Sequence, residues 1–279
     1  MSRGLASDSV RSYVGVARQF LARTSVGEFD LDDLNAAEVL SFVQDECARR
    51  GIGSAGTTVT GARAWLRFLH RTARTSMSLA SAVPSVANWS LAGLPRAMSS
   101  AELSRLLRSR YRRRAVGRRD FAILTLCSRL GLRAGEVARL ELGDIDWRQG
   151  ELVVRGKGAR RDRLPLPTDV GEAAVAWRAR GRPRGIDTAA VFVRLRAPHG
   201  SLASTGVSAV VRRASIRAGI DPISAHRLRH TAATRMLQAG ESLAEVGQVL
   251  RHERLLTTAV YAKVDLSALA AVAQPWPQR

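Results

Sequence analysis

Residues 226–261 read HRLRHTAATRMLQAGESLAEVGQVLRHERLLTTAVY, and the rest of the chain is organised around this stretch. His226, Arg229, His252 and Tyr261 stand here at helix-compatible spacings, with a break at Gly240. His226 and Arg229 are three residues apart, so on a helix they project from one face while Leu228 turns toward a core. His252 and Tyr261 follow the break. Proton-handling, anion-binding and nucleophilic groups are thus gathered on a helical scaffold, and their partners are expected elsewhere in the chain.

Composition points to a polyanionic partner. In 279 residues, 44 Lys and Arg oppose 24 Asp and Glu, a formal net charge of +20. That balance is unusual for an enzyme of small molecules and natural for a protein that binds nucleic acid. Most of the cations are arginine, whose planar fork matches phosphate oxygens in pairs. The two cysteines, Cys47 and Cys127, lie in apolar helical patterns and support neither a disulfide framework nor a thiolate zinc site. With neither an apolar leader nor a membrane-length apolar window, the expected protein is cytoplasmic and DNA-associated.

The chain is long enough for two cores. Residues 7–22 place Val10, Tyr13, Val14, Ala17, Phe20 and Leu21 at helical spacing. A second helix opens at Asn35 with Glu38 three residues on, a capping-box pattern, carries Val39, Phe42, Val43 and Cys47 inward, and stops at Gly51. A third, over residues 57–72, sets Val59, Ala62, Leu66 and Leu69 on one stripe. Trp65 and Phe68 widen that stripe, and Arg63, Arg67 and Arg71 form a basic edge. Residues 1–85 therefore read as a helical bundle able to lie along DNA, and residues 86–97, with Gly93 and Pro95, as a linker.

Residues 98–279 form the second predicted domain. It opens on a Ser99-x-x-Glu102 capping box, followed by a run of arginines from Arg105 to Arg119 that reads as a phosphate-tracking patch. Residues 120–130 suit a core helix ended at Gly131, and Arg133 then falls at a tight turn into a short helix carrying Glu136, Val137 and Leu140. Residues 151–166 switch to period two, a β-hairpin with Leu152 and Val154 on one face and Lys157 at its tip between two glycines. A helix over 169–180, a short strand near 189–195 and a helix over 204–219 follow. A helical tail comes after Tyr261.

Arg133, Lys157, His226, Arg229, His252 and Tyr261 together suit phosphoryl transfer. Two guanidiniums and an imidazole can hold the equatorial oxygens of a pentacoordinate phosphorus without a metal. Tyr261 is the predicted nucleophile. A phenol of pKa about 10 is roughly one part in a thousand ionised at neutral pH, a handicap of about 4 kcal/mol that neighbouring cations or a base must offset. His226 is the candidate base, and Lys157 the candidate acid for the leaving 5′ oxygen. Asp144 and Asp146 lack the His and carboxylate company of a two-metal nuclease, so neither metal nor cofactor is expected.

The segments GLRAGEVARL, VRGKGARRDRLPL, HRLRHTAATRMLQAG and LRHERLLTTAVYAKVD resemble the conserved boxes of the tyrosine recombinases, or phage integrase family, in its compact Xer-like or transposon-encoded form. The resemblance implies a mainly α fold with a small β-sheet or hairpin. An N-terminal helical bundle of the SAM-like core-binding type would precede an α+β catalytic domain whose C-terminal tail docks on a neighbouring protomer. It implies a recombinase that cleaves and rejoins double-stranded DNA through a 3′-phosphotyrosyl intermediate on Tyr261, four protomers assembling on two sites. Arg133 and Arg229 correspond to the family's paired arginines, Lys157 to its hairpin lysine, and His226 and His252 to its two histidine positions. His230 is support, while His70 and His199 match nothing and read as surface residues. Two positions depart from the pattern: Arg227 stands where an acidic residue is usual, and Arg251 where glycine is usual. A non-catalytic accessory DNA-binding protein and a topoisomerase of type IB remain the alternative readings.

Overall fold

The computed structural model describes residues 7–24, 31–85, 97–109, 113–156 and 160–251. The chain divides into two compact units, Met1–Trp89 and Ser90–Arg279. The described residues are mainly helical, with one small three-stranded antiparallel sheet.

In the first unit, α1 (Ser7–Thr24), α2 (Ala36–Arg50) and α3 (Ile52–Arg71) enclose a core of Val16, Phe20, Val39, Phe42, Val43, Val59, Ala62, Leu66 and Leu69, closed from below by Leu79, Ala80 and Val83. Asn35 caps α2 as its sequence requires: its side chain accepts from the backbone of Ala37 and Glu38, and Glu38 returns a carboxylate to the Asn35 N–H. Gly51, at φ +79, both ends α2 and opens α3. α3 therefore starts at Ile52, earlier than the pattern of Gly53, Ser54 and Gly56 predicts.

The buried face of α1 also differs from expectation. Val10, Val14 and Leu21 are exposed, whereas Val16 is fully buried. The cause is a close helix approach at Gly61 of α3: a Cβ there would stand 2.9 Å from Val16 Cγ2. The notch seats Val16 and rotates α1 so that Val16, Ala17 and Phe20 face inward. Phe68 is likewise 54% exposed, stacked on the half-buried Trp65 at 5.6 Å, rather than widening the buried stripe.

In the second unit, α4 (Ser100–Arg108) opens on the Ser99–Glu102 capping box. α5 (Ala115–Arg129) runs through the middle of the core, buried continuously from Ala122 to Ser128. It packs against α7 (Thr168–Arg180), α8 (Ser204–Arg217) and α9 (Ala225–Gln238). The sheet is β1 (Ile145–Asp146), β2 (Glu151–Arg155) and β3 (Arg161–Pro165), with Leu152 opposite Leu164 and Arg155 opposite Arg161. Leu152 and Val154 are its buried side, following the alternation of the sequence.

The segment around 189–195 makes only two isolated bridges, Glu141 with Ala190 and Val193 with Ser201, and is not a ladder strand. Two of its carbonyls are taken by side chains: Trp177 Nε1 donates to Val191 O at 2.8 Å and Arg119 Nη1 to Val193 O at 3.3 Å. Val191, Phe192 and Val193 are all buried, so no face is left for a paired strand to present to solvent.

Arg119 corrects the reading of the arginine run. α5 begins earlier than predicted and draws this residue into the core, where Nε and Nη2 both donate to Asp120 Oδ1 at 3.0 and 2.9 Å. It is 7% exposed and holds the 189–195 segment in place, so it cannot track phosphates. Arg119→Ala should cost about 3–5 kcal/mol, because it removes one side of a buried ion pair. Arg118→Ala, at a residue whose guanidinium donates to the Arg180 carbonyl at an exposed position, should cost less than about 1 kcal/mol. Urea-unfolding midpoints at unchanged slope measure both.

Candidate active site

α9 carries the first two residues of the cluster. Leu228, Ala232 and Ala233 face the interior, which fixes the rotation of the helix and sends His226 outward at its first turn. Met98 N–H donates to Thr231 Oγ1 at 3.0 Å, tying the start of the unit to the same helix. Gly240, at φ +98, ends the α9 region, and α10 (Leu243–Val249) follows behind a Ser242–Glu245 capping box.

Arg229 is buried, 1% exposed, beneath this surface. Its Nη1 donates to the carbonyl of Gly131 at 2.6 Å and its Nη2 to the carbonyl of Leu250. One guanidinium therefore joins the turn after α5, α9 and the end of α10. Gly131 lies at φ +60, and a Cβ on it would stand 2.5 Å from Leu250 Cδ2. Glycine is needed here on two counts, backbone conformation and space.

Arg133 enters from the same turn, at the N-terminus of α6 (Ala134–Arg139). Its side chain is 45% exposed, and Nη1 donates to Glu136 Oε1 at 2.6 Å. The Arg133 N–H donates to Glu136 Oε2 at 2.8 Å, so the carboxylate holds the residue by backbone and side chain together. Oε2 also accepts from Arg251 Nη2 at 2.8 Å. Burial pushes the Glu136 carboxyl upward, but the Arg251 charge and the hydrogen bonds and charge of Arg133 outweigh it, and the net shift is below the ordinary carboxylate value. Glu136 stays ionised.

The two histidines of α9 are neutral at physiological pH. Partial enclosure of the His226 ring, then the charges of Arg229 and Arg133, push its pKa below the ordinary value. His230 packs edge-on against it with ring centroids 4.3 Å apart. Burial, then His226 and Arg229, bring His230 down to about 4. Cys127, fully enclosed in α5, is pushed up to about 12 by burial and then by Glu136, so its thiol stays protonated and is no competing nucleophile.

Arg133, His226 and Arg229 are thus brought together, an exposed guanidinium and an exposed neutral imidazole over a buried guanidinium. Lys157, His252 and Tyr261 lie outside the described residues. The hairpin that leads to Lys157 is closed by a 2.8 Å hydrogen bond from Gly156 N–H to Arg160 O. Its strand residue Arg155 is held by Glu141 at 2.6 Å and Asp144 at 2.9 Å. Asp144 is accordingly an ion-pair partner. Among the described residues no three His, Cys, Asp or Glu converge on a common point, and no helix is long and apolar enough to cross a membrane. His70 and His199 are at the surface.

Two residues of the cluster escape sequence reasoning. Glu136 stands three residues after Arg133 at a helix start, the spacing of a capping acid, and that signal was available. Arg251 shows in the sequence only as a departure from a usual glycine, because its role depends on a left-handed backbone that an arginine does not advertise.

A mainly helical unit with a small antiparallel sheet, in which an exposed and a buried arginine meet a histidine pair, has the fold of the tyrosine-recombinase catalytic domain. The phage integrase family profile matches residues 96–267. A protein described as integrase/recombinase y4rA of Sinorhizobium fredii is 44% identical over 99% of this chain and 68% of its own length. Tyrosine recombinase XerD of Mycobacterium tuberculosis is 31% identical over 98% of this chain and 92% of its own. Among solved structures, the XerH site-specific recombinase in a post-cleavage complex with a palindromic difH substrate superposes at TM-score 0.72, with 17% identity over 96% of this chain and 80% of that one. A lambda integrase (75–356) dimer bound to a COC′ core site superposes at 0.68, with 15% identity over 100% and 94%. The chain belongs to the phage integrase family, the tyrosine recombinases.

Because both histidines are neutral in the folded state and protonate more readily once unfolded, acid should destabilise the protein. Their contribution is complete above about 6.5, their unfolded value, and is lost progressively as pH falls toward about 4. The melting temperature followed by circular dichroism should fall across that window, and His230→Asn should flatten the fall.

Proposed function

We propose that the chain is a site-specific DNA recombinase that cleaves and rejoins DNA strands through a 3′-phosphotyrosyl intermediate on Tyr261. The observation that carries this reading is the convergence of Arg133, Arg229 and His226 from a turn and a helix far apart in sequence. The family match over residues 96–267 supports it by spanning all six candidate positions.

In this reading the scissile phosphate sits over Arg133, whose exposed guanidinium meets a non-bridging oxygen. Arg229 adds positive charge from beneath, and His252 donates to a second oxygen. His226, held neutral, takes the phenolic proton as Tyr261 attacks phosphorus. The P–O5′ bond breaks as the P–O bond to tyrosine forms, and Lys157 gives the leaving 5′ oxygen its proton. The energy of the cleaved bond stays in the phosphotyrosyl ester. A 5′ hydroxyl from a second duplex can then displace the tyrosine with neither ATP nor metal.

Exchange between duplexes requires more than one protomer, and the proposed assembly is four protomers on two sites. The lambda integrase neighbour is a DNA-bound dimer, which supports association on DNA. The chain would act in the cytoplasm, on chromosomal or mobile-element DNA.

A nicked duplex bearing the site, taken from the DNA beside the gene, should trap a covalent protein–DNA adduct that persists in EDTA and disappears in Tyr261→Phe. Arg133→Ala should slow its formation by about a hundredfold or more. An adduct that survives Tyr261→Phe would show another nucleophile, and inhibition by EDTA would show a metal requirement. No adduct from folded protein would favour the accessory DNA-binding reading. Adducts with relaxed circles but no recombinant joints would favour the topoisomerase.

A further inference from the structure

Arg251 is an unusual residue at its position. Its backbone is left-handed, φ +56, a conformation that glycine adopts freely and that crowds a Cβ. Its side chain turns inward and is 3% exposed, as is that of Glu136. Nη2 meets Glu136 Oε2 at 2.8 Å, Nη1 meets the Val249 carbonyl at 2.7 Å, and Nε is enclosed with no hydrogen-bond partner among the described residues. A strained backbone and an unpaired buried donor are both unfavourable, so the ion pair with Glu136 must compensate.

The same carboxylate holds Arg133. Oε1 accepts from the Arg133 guanidinium, and Oε2 is shared between the Arg133 N–H and Arg251. We propose that Arg251 is a positioning residue: by sharing Glu136 it stops that carboxylate from neutralising Arg133, and it sets where the Arg133 guanidinium stands. Without Arg251 the buried Glu136 has Arg133 as its remaining cation in this arrangement and draws the guanidinium down toward itself. With Arg251, two arginines stand against the single carboxylate of Glu136, which leaves a surplus of positive charge for an incoming phosphate. The tie also fixes the chain at the residue before His252. This inference rests on the proposed role of Arg133 at the phosphate.

The test compares Arg251→Gly, Arg251→Lys and the double variant Arg251→Gly/Glu136→Gln in single-turnover adduct formation at saturating nicked duplex, with thermal unfolding recorded for each. Arg251→Gly should slow cleavage by about tenfold to a hundredfold while leaving duplex affinity within about threefold. Adding Glu136→Gln removes the uncompensated charge and should recover most of the loss, and Arg251→Lys should lie between. A merely structural role would not give recovery on removing a second buried partner. Wild-type cleavage by Arg251→Gly, or a double variant no faster than the single one, would overturn the inference. Urea-unfolding midpoints of Arg133→Ala, Arg251→Gly and their combination add a readout free of catalysis. Non-additive shifts are expected if both arginines act through Glu136, and additive ones would overturn the inference. Non-additivity in a protein that forms no adduct would sink the catalytic reading while leaving the tie in place.

Discussion

The buried guanidinium of Arg229 is the interaction on which the site depends. It closes on the carbonyls of Gly131 and Leu250, groups separated by most of the unit's sequence and left without helical partners at the ends of α5 and α10. Both carbonyls are satisfied by one charged donor group. The geometry works only because Gly131 has no Cβ, which lets Leu250 pack onto the turn. Once the turn is fixed, Arg133 follows two residues later, and His226 lies one helical turn from Arg229 on α9. The position of the exposed groups is thus a consequence of a buried hydrogen-bonded contact, as preorganised electrostatic sites require.

Charge around this contact keeps the Glu136 carboxylate ionised, and burial and charge together keep the imidazoles neutral. Two arginines, Arg133 and Arg251, face one carboxylate, and that carboxylate is itself held ionised by them. Burial first, and neighbouring charge after it, lowers both His226 and His230. A neutral imidazole beside guanidiniums can accept a proton from a phenol, whereas an imidazolium could not. The same field lowers the cost of ionising a phenol brought nearby, which is the handicap that the sequence alone makes evident for Tyr261.

Much of this was legible in the sequence because it is carried by local patterns. The capping boxes at Asn35 and Ser99 mark helix starts through side-chain chemistry within four residues, and the alternation of Leu152 and Val154 fixes the hairpin's buried face. The spacing of His226 and Arg229 put them on one helix. Periodicity could not say that Arg229 is buried while His226 is exposed, since burial is set by α10 and the turn at Gly131. It misassigned the inner face of α1 because the notch that seats Val16 belongs to Gly61 on another helix. It read Arg119 as surface because its partners, Asp120 and the Val193 carbonyl, become apparent only when α5 packs. Arg251 could be seen only as a departure from a glycine; the reason a glycine suits the site, and what the arginine does in its place, are properties of the backbone angle and of Glu136.

The most direct measurement is made on Arg229→Lys, which preserves the charge but replaces the two-pronged donor with a single ammonium that cannot span both carbonyls. The variant should melt several degrees below the wild type and form the covalent DNA adduct at least about a hundredfold more slowly, the turn at Gly131 no longer holding Arg133 in place. Wild-type melting together with wild-type adduct formation would contradict the claim that this buried contact assembles the site.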